Sequence, residues 1–573
     1  PVRPRQGLDG VGLRNKTDMR LVWLDIRSSY SHASLSLPLL HAACASAASP
    51  DPAGGTVTWD AVRATPSDRI ERVTHEVVSR SPDILATSLF LFNRPFALDV
   101  LRRAKALLPD VLVIVGGPEL LGPNEPFLRR FPFVDAAWRG EGEAVFPEWL
   151  RSAFSPAAWR EIPGLCRLDG TGEYCDNGTA PPPSPADLPS PLESPFFDRS
   201  KPFVQLETSR GCTGRCSYCS SCDTGPVRNR APDSVRQDLV SLRDHGPREV
   251  RILDRTFNAD PGRARALLDL FRCEFPEMRF HLEWRPCPTT PGLLEALAAA
   301  PAGQFHLEVG LQTGFPPARR AVGLSPEAER AWDGVEALCG LPGVEVHVDL
   351  LSALPELPAR ALFEDLRRLI GLAPEEIQLE TLKVLPGTPL RDQAGECGLV
   401  FDSEPPYDVL ATPAMPPETI ERIRLVSRTL DGYHNEPALR PLFRRAVAGD
   451  PRFPGTFTGF LHRRGQADRP VSLKKRFEAL HAYAQQHDPK LRWQTEYEWL
   501  RQGHSAAHGL RPATPWTDDL PADAELVEGA PPGDTRTRIW TVTHDRCRYW
   551  FVFDRTRQRP PASAVYRGRE ARS

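Results

Sequence analysis

The sequence has no large net charge of either sign, and it has no long apolar run. Its 573 residues carry 71 Lys or Arg against 74 Asp or Glu, a formal net charge of −3. A balance this close to zero gives no electrostatic reason to expect a nucleic-acid or membrane-surface partner. No apolar stretch reaches the roughly 20 residues that a membrane-spanning helix needs. We therefore expect a cytoplasmic protein whose partners include neither nucleic acid nor membrane.

Cysteine is too sparse for a secreted disulfide scaffold, because only 12 cysteines are spread over this length. Hydrophobic residues make up 40% and charged residues 25%, as in ordinary globular proteins. The length allows about three or four domains.

Three of the cysteines nevertheless stand close together in one short stretch. Cys212, Cys216 and Cys219 have the spacing CxxxCxxC, and Tyr218 precedes the third. Thiolates packed this closely are typical ligands of a soft metal centre. Three thiolates leave one position open on a tetrahedral zinc or on a four-iron cluster, and an open position is where chemistry occurs.

Two alternatives include a fourth cysteine, Cys222, which follows at a further CxxC interval. All four cysteines could hold a structural zinc ion, or a fully ligated electron-transfer cluster. Zinc ligands usually come as two separated pairs, which this stretch does not show, so the three-cysteine interpretation is favoured.

Strands alternate with helices on both sides of this stretch. Upstream, apolar runs predict strands at 21–26, 56–59, 83–88, 111–115 and 134–138. Such alternation is typical of a doubly wound parallel sheet, which binds ligands beyond the carboxyl ends of its strands. Downstream, six more strands begin at 203, 249, 279, 304, 344 and 377. These predict a partial βα barrel with its chemistry at the strand ends.

The expected boundaries follow from these patterns. They are an N-terminal extension (1–18), the first α/β domain (19–158), a hairpin with a Pro-rich linker (159–200), the barrel (201–405) and a C-terminal domain (406–573). The C-terminal domain is expected to be mainly helical, with a β-hairpin around Asp545-Arg546.

In order along the chain, Gly116-Gly117, Gly140-Glu-Gly-Glu143 and then CxxxCxxC after a barrel strand resemble the cobalamin-dependent radical S-adenosylmethionine (SAM) methyltransferase family. The resemblance implies an α/β fold with a Rossmann-like cobalamin-binding domain, a partial (β/α)6 radical SAM barrel and a mixed, mainly helical C-terminal domain. It implies a 4Fe–4S cluster, SAM and methylcobalamin as cofactors. A small-molecule substrate, an external electron donor and a monomeric state are also expected.

The resemblance assigns residues to each cofactor. The cluster ligands would be Cys212, Cys216 and Cys219. The cobalamin-binding residues would be Ser88, Phe90, Asn93, Gly116, Gly117, Pro118, Glu119, Gly140, Glu141 and Gly142. The SAM-binding residues would be Tyr218, Asp254, Gln312, Asp349 and Pro386. For strand-end carboxylates such as Glu308 and Asp349, the alternative is a structural role, bonded to a neighbouring turn.

The sequence departs from the family in one respect. Many cobalamin domains carry DxHxxG, whose His ligates cobalt, but here Asp25 begins Asp-Ile-Arg-Ser-Ser-Tyr. We therefore expect no protein imidazole on cobalt. Arg69, in the loop after the second strand, is a hypothetical neighbour of the lower corrin face that would favour Co(I), because a guanidinium stays protonated. The alternative is that Arg69 caps a helix or faces solvent.

Two mechanisms follow from the resemblance. A 5′-deoxyadenosyl radical could activate a carbon that methylcobalamin then methylates, or Co(I) could take the methyl group of SAM by polar displacement and pass it to an electron-rich carbon. The missing His favours the second. Ser31-His32, Leu91-Phe-Asn93 and Asp254-Arg-Thr-Phe-Asn258 resemble the branch that methylates C2 of the L-tryptophan indole in thiopeptide antibiotic biosynthesis.

Polar transfer to an indole carbon needs a base for the ring proton. Glu283, Glu308 and Tyr433 are the candidates, and the sequence does not rank them. A different class also stays open, namely a sensor that binds cobalamin or a cluster without methylating anything.

Overall fold

The computed structural model divides the chain into two compact units. The first unit takes in the chain up to Asp365 together with Glu380–Ile420, and the second comprises Leu366–Leu379 and the chain from Glu421. The structure describes residues 18–47, 56–155, 157–222, 225–246, 248–503, 510, 513–517, 520–521, 523–530, 537–554 and 562–569. The expected N-terminal extension lies outside these residues, apart from its last position.

The first unit begins with a seven-stranded sheet in the order β2-β1-β3-β4-β5-β6-β7. Its strands are β1 (Asp18–Ile26), β2 (Thr56–Ala64), β3 (Ile84–Ser88), β4 (Leu112–Gly116), β5 (Ala136–Trp138), β6 (Leu165–Leu168) and β7 (Tyr174–Asp176). Its helices are α1 (Ser36–Ser46), α2 (Ile70–Ser79), α3 (Arg94–Leu107), α4 (Glu125–Arg130) and α5 (Phe146–Arg151). The first five strands are parallel, and the hairpin β6–β7 adds two antiparallel strands.

Both faces of this sheet are covered by apolar side chains. Along β1, Val22 and Leu24 enter one buried cluster, whereas Leu21 and Trp23 enter the other. Successive side chains of a strand point to opposite faces, so a nearly continuous apolar run marks a strand that is buried on both sides. This confirms the expected doubly wound sheet. The hairpin predicted after residue 159 is also present and extends the sheet.

The barrel follows as a six-stranded sheet in the order β15-β14-β13-β12-β11-β8. Its strands are β8 (Phe203–Leu206), β11 (Glu249–Ile252), β12 (Arg279–Trp284), β13 (Phe305–Gln312), β14 (Glu345–Ser352) and β15 (Glu376–Thr381), and short pairs are formed by β9 (Ser209–Arg210) with β10 (Arg228–Asn229) and by β16 (Val400–Phe401) with β17 (Val409–Ala411). Its helices are α6 (Pro232–His245), α7 (Pro261–Glu274), α8 (Pro291–Ala298), α9 (Pro316–Ala321), α10 (Ala328–Cys339), α11 (Ala359–Leu372) and α12 (Pro389–Gln393). The neighbours from β8 to β14 are parallel, which confirms the partial barrel.

The barrel strands separate an apolar outer face from a polar interior. Phe280 of β12 is fully buried and stacks on Phe271 of α7, with ring centroids 4.1 Å apart. The alternate residues of the same strand, His281 and Glu283, therefore face inward. β13 repeats the pattern, with Leu307 buried and Glu308 half-buried. A barrel lined by polar groups provides a ligand site rather than a packed core.

The C-terminal part of the chain is mixed, as expected. Its helices are α13 (Pro417–Thr429), α14 (Arg440–Gly449), α15 (Phe453–Arg463), α16 (Leu473–His487) and α17 (Pro489–Arg501). Five antiparallel strands follow in the order β18-β20-β21-β22-β19, namely β18 (Thr514–Trp516), β19 (Glu525–Gly529), β20 (Thr537–His544), β21 (Cys547–Asp554) and β22 (Ala564–Arg569). β20 and β21 are the predicted hairpin, and the other three strands were not anticipated. Among the described residues, no helix combines the length and apolar character required to cross a bilayer.

Candidate active site

The cysteine loop begins directly after β8 and folds back on itself. The backbone N–H of Gly214 donates to Cys212 Sγ at 3.3 Å, and that of Ser221 donates to Cys219 Sγ at 3.4 Å. The N–H of Cys219 donates to the carbonyl oxygen of Cys216 at 3.0 Å. Backbone donors aimed at sulfur stabilise thiolates and are typical of metal-bound cysteines.

The sulfur spacing distinguishes between the metal centres that the sequence left open. A zinc ion with Zn–S bonds near 2.3 Å holds its sulfurs about 4 Å apart. In this loop, where all four cysteines are described, no three sulfurs lie within 4.8 Å of one another. The loop, as described, therefore holds no preformed mononuclear zinc site. Sulfurs spread this widely are compatible with an iron–sulfur cluster, ligated by three or by all four cysteines.

A cationic side chain lies against the same loop. A Cβ built on Gly214 would come 2.0 Å from an Arg285 guanidinium nitrogen, so the guanidinium lies directly against the loop backbone. Asn258 fixes the backbone of Arg285, because its amide donates to the Arg285 carbonyl at 2.8 Å and its oxygen accepts from the Arg285 N–H at 2.9 Å. Burial and the neighbouring Cys216 raise the pKa of Tyr218 well above its usual range, so its phenol stays protonated.

A wide cavity opens beyond the carboxyl ends of β1, β3 and β4. It has a volume of about 570 Å³. Eight of the ten residues predicted to bind cobalamin line it, namely Ser88, Phe90, Gly116, Gly117, Pro118, Gly140, Glu141 and Gly142. Its other wall comes from the barrel domain and includes Gln205, Glu207 and Leu253.

Backbone conformation builds the floor of this cavity. Gly117 has φ +101°, and a Cβ there would lie 2.6 Å from the carbonyl oxygen of Leu89. Gly140 has φ +96°, and a Cβ there would lie 3.0 Å from the carbonyl oxygen of Ala180. Only glycine adopts these conformations without strain, and its missing Cβ lets the chain turn closely against the backbone of Leu89 and Ala180 beside the cavity. The open space between these turns and the barrel wall has the size and the mostly apolar lining that fit a corrin.

Two residues of the predicted set do not line the cavity. Glu119 is buried in an ion pair with Arg94 (3.1 Å) and accepts a hydrogen bond from the Tyr407 hydroxyl at 2.6 Å. Asn93 is also buried and spends its amide on the carbonyl oxygens of Ile26 and Ser88 and on the Phe90 N–H. Both side chains lie outside the cavity lining, and their polar atoms are bonded to protein groups around it.

Arg27 lines the cavity but was missed by the sequence analysis. Its guanidinium donates to Asp25 at 2.8 Å, and both side chains are buried, with 6% and 4% of their surface exposed. It also donates to the carbonyl oxygen of His32 at 3.2 Å. Its position two residues after Asp25, where DxHxxG would carry its His, was a signal that could have revealed it.

Arg69 has a different position. It immediately precedes α2, its side chain is exposed, and it is not among the described residues that line the cavity. The structure thus places Arg69 at a helix start facing solvent and places Arg27 in the cavity wall.

Of the residues predicted to bind SAM, Asp254 and Gln312 lie at the carboxyl ends of β11 and β13, Asp349 lies within β14, Pro386 follows β15, and Tyr218 lies in the cysteine loop. Asp254 is 1% exposed and accepts four hydrogen bonds from the backbone and hydroxyl groups of Thr208 and Ser209. That makes it a clamp on the segment that leads into the cysteine loop. The Oδ1 atom of Asp349 lies 3.2 Å from Nε2 of His347. Gln312, at the end of β13, has φ +68°. Pro386 belongs to the turn whose Gly387 packs against the backbone of Gly122.

The three candidate bases differ sharply in environment. Burial raises the pKa of Glu283 to about 7, although Arg255 at 3.7 Å opposes the shift. The pKa of Glu308 is lowered instead, because its carboxylate is bonded to His281 at 2.8 Å. Tyr433 is 3% exposed in the second unit, packed edge-on against Phe457, and burial raises its pKa. Glu283 alone has a pKa suited to taking a proton at neutral pH.

Comparison with known families identifies the two parts that meet at the cavity. Residues 53–150 match the B12 binding domain, and residues 206–369 match the radical SAM superfamily. The chain therefore carries a B12-binding domain followed by a radical SAM domain. These domains imply cobalamin, a 4Fe–4S cluster and SAM, and the cavity and the cysteine loop provide residues that fit them.

Two named proteins are similar in sequence to about a third of this chain. The cobalamin-dependent radical SAM methyltransferase TokK of Streptomyces tokunonensis is 29% identical over 31% of this chain and 28% of its own length. The 2-(S-pantetheinyl)-carbapenam-3-carboxylate methyltransferase of Streptantibioticus cattleyicolor is 31% identical over 33% of this chain and 30% of its own length. The chain thus spans less than a third of either relative.

Solved structures match a larger share of the fold. TsrM of Kitasatospora setae, solved with its tryptophan substrate and a SAM analogue, aligns with a TM-score of 0.54 and 20% identity, covering 70% of this chain and 82% of its own. The cobalamin-dependent SAM radical enzyme OxsB, solved with aqua-cobalamin and SAM, aligns with a TM-score of 0.59 and 13% identity, covering 86% and 82%. At these identities the similarity is one of fold.

Proposed function

We propose that this chain is a cobalamin-dependent radical SAM methyltransferase that moves a methyl group from SAM through cobalamin to a carbon of a small molecule. One observation carries the proposal. The cavity of the B12-binding domain is closed on its other side by residues of the radical SAM domain, including Glu207, Ser209 and Arg210, which lead directly into the cysteine loop. A methyl group can pass between two cofactors only if both sites face one enclosed space.

Bound in these sites, the cofactors would supply the methyl transfer itself, and the chain supplies position and proton control. Cys212, Cys216 and Cys219 would hold the cluster. Arg27, which stands where the cobalt-ligating His of DxHxxG would be, lines the cavity with a guanidinium that has no lone pair to offer cobalt, and Asp25 behind it balances its charge. This favours the polar route through Co(I) over the radical route.

Glu283 is our choice of base. It faces the barrel interior at the carboxyl end of β12, and Arg255, with which it pairs, lines the cavity. A carboxylate with a pKa near 7 can accept the proton that an aromatic carbon loses on methylation. Glu308 is less suited because His281 holds its carboxylate in a hydrogen bond.

Our best single substrate is L-tryptophan, methylated at C2 of the indole in antibiotic biosynthesis. The support is the resemblance of three short motifs to that branch, together with a fold neighbour solved with tryptophan. The second candidate is radical methylation of an unactivated carbon in another natural-product precursor. Its support is that two relatives similar to part of this chain are named as a carbapenam-carboxylate methyltransferase and a hopanoid C-3 methylase.

Anaerobic turnover of reconstituted protein with SAM, cobalamin and L-tryptophan, followed by mass spectrometry, tests the proposal. Methyltryptophan with S-adenosylhomocysteine and without 5′-deoxyadenosine supports the polar route and the substrate. Abundant 5′-deoxyadenosine with unchanged tryptophan supports the radical route on another substrate. A sensor would produce neither a methylated product nor SAM turnover.

A further inference from the structure

A half-buried ion-pair cluster joins the two domains at the edge of the cavity. Its centre is Arg210, whose side chain is 10% exposed and which lies two residues before Cys212. The guanidinium donates to Glu141 at 2.9 Å and to Glu143 at 2.8 Å, both in the B12-binding domain, and to Glu207 at 2.9 Å in the radical SAM domain.

The local strand pairing makes this cluster depend on both domains. Arg210 of β9 pairs directly with Arg228 of β10, and two like charges opposite each other destabilise such a pair. Glu141 accepts from both guanidinium groups and so neutralises the repulsion. The carboxylate that allows β9 and β10 to pair therefore comes from the other domain.

The cluster lies between the two cofactor sites. Glu141, Glu143, Glu207 and Arg210 all line the cavity that fits cobalamin. Next to Arg210, Gly211 has φ +92° and a Cβ there would lie 2.8 Å from the carbonyl oxygen of Pro226, so the chain packs closely against Pro226 between Arg210 and the first cluster ligand. A ligand that orders Glu141 and Glu143 would thereby also order Arg210 at the start of the cysteine loop.

We propose that Arg210 is a positioning residue that couples the two cofactor sites, so that filling the cluster site tightens cobalamin binding and the reverse. Such coupling must be reciprocal. The inference rests on the cofactors of the proposed function but does not require methyl transfer.

The test compares the cobalamin dissociation constant of the full chain before and after anaerobic cluster reconstitution, without SAM or substrate, from the visible absorbance of bound cobalamin. In the parent we expect the cluster to tighten cobalamin binding by about 5-fold or more, the lower end of typical coupling. In Arg210→Met the two constants should agree within about 2-fold, because the side chain that joins Glu141 and Glu143 to the start of the cysteine loop is then missing, and the remaining Arg228–Glu141 contact does not reach that loop directly.

Arg230→Met is the matched control. Arg230 is also 10% exposed and also ion-paired, to Asp238 at 2.8 Å, but its described partners all lie within the radical SAM domain. This variant should retain the coupling of the parent. The double variant Glu141→Gln/Glu143→Gln neutralises both carboxylates of the other domain that bind Arg210 and should lose the coupling, which keeps the test decisive if Arg210→Met does not fold.

Three results would overturn the inference. The first is a parent whose cobalamin dissociation constant does not change when the cluster is reconstituted. The others are an Arg210→Met variant that keeps the coupling of the parent, and an Arg230→Met variant that loses as much coupling as Arg210→Met. The proposed function fails separately, by absence of methyl transfer from SAM in a protein whose two sites are coupled.

Discussion

The cavity of the B12-binding domain and the barrel interior both lie toward the carboxyl ends of parallel strands, yet the floor of the first is formed by backbone and the second is formed by side chains. Glycines in unusual conformations, such as Gly117 and Gly140, form the cavity floor. The barrel interior is instead lined by carboxylates and histidines. There the pKa of each carboxylate depends on its burial and on its neighbours, and it is raised for Glu283 and lowered for Glu308. A site built from backbone can be recognised from glycine positions, whereas a site built from side chains depends on contacts that a sequence does not state.

The largest effect should come from the cysteine loop, which connects the two regions. Cys216→Ala should abolish cluster binding and reduce methyl transfer to background, because the remaining two thiolates cannot hold a four-iron cluster. Iron and sulfide content and the visible spectrum measure this. Cys222→Ala is the matched control and should keep the cluster. Loss of the cluster in Cys222→Ala would instead support four-cysteine ligation.

The next effect concerns the side-chain-built region. Glu283→Gln should lower methyl transfer by about 10²–10⁴-fold, the usual contribution of a general base. A base must be unprotonated to act, and the pKa of Glu283 is about 7, so the rate should rise with pH through neutrality and level off above it. Glu308→Gln, in the same strand layer, should keep this pH profile. A profile that moves with Glu308 instead would assign the base to that residue.

Arg27 and Arg69 provide a matched pair for the cavity wall. Arg27→Met leaves the Asp25 carboxylate buried without its partner and should cost about 3–5 kcal/mol of unfolding free energy and weaken cobalamin binding. Arg69→Met should change stability by less than about 0.5 kcal/mol, because Arg69 is exposed. Denaturant unfolding and cobalamin titration measure both. Equal cobalamin affinity in Arg27→Met and the parent would remove Arg27 from the site.

Gly117 and Gly116 test the backbone-built floor. Gly117→Ala should lower the unfolding free energy by about 1–3 kcal/mol, because alanine is strained at this φ and its Cβ would contact Leu89. At Gly116 the added Cβ meets only the Trp138 Cβ, at 3.5 Å, an ordinary contact. Thermal unfolding of the cobalamin-free protein separates the two. Equal losses would show that conformation is not what selects glycine at 117.

The smallest effect is expected behind the cavity. Tyr407→Phe removes the hydrogen bond that the hydroxyl donates to Glu119 and the one that it accepts from Arg94, while Glu119 keeps its ion pair with Arg94, and should cost about 1–2 kcal/mol of unfolding free energy. Cobalamin affinity should not change, because neither Tyr407 nor Glu119 lines the cavity. A changed cobalamin affinity in Tyr407→Phe would show that Glu119 contributes to the cobalamin site.

These contrasts explain how far the sequence could be interpreted. Hydrophobic runs such as Leu21–Ile26 and the alternation in β13 are local, so both sheets could be predicted. The cysteine spacing and the glycines are local as well. Glu119 was misplaced because its partner Tyr407 is 288 residues away, and the Arg210 cluster was missed because Glu141 and Glu143 are 69 and 67 residues from it. Long-range ion pairs leave no pattern in a single sequence.

The most direct measurement of the central claim requires no substrate. Reconstituted protein is incubated anaerobically with cob(I)alamin and SAM carrying a trideuterated methyl group, and the cobalamin released on denaturation is analysed by mass spectrometry. We expect trideuteromethylcobalamin and S-adenosylhomocysteine in equal amounts. Unlabelled cobalamin alongside intact SAM, or alongside 5′-deoxyadenosine alone, would contradict polar methyl transfer from SAM to cobalamin.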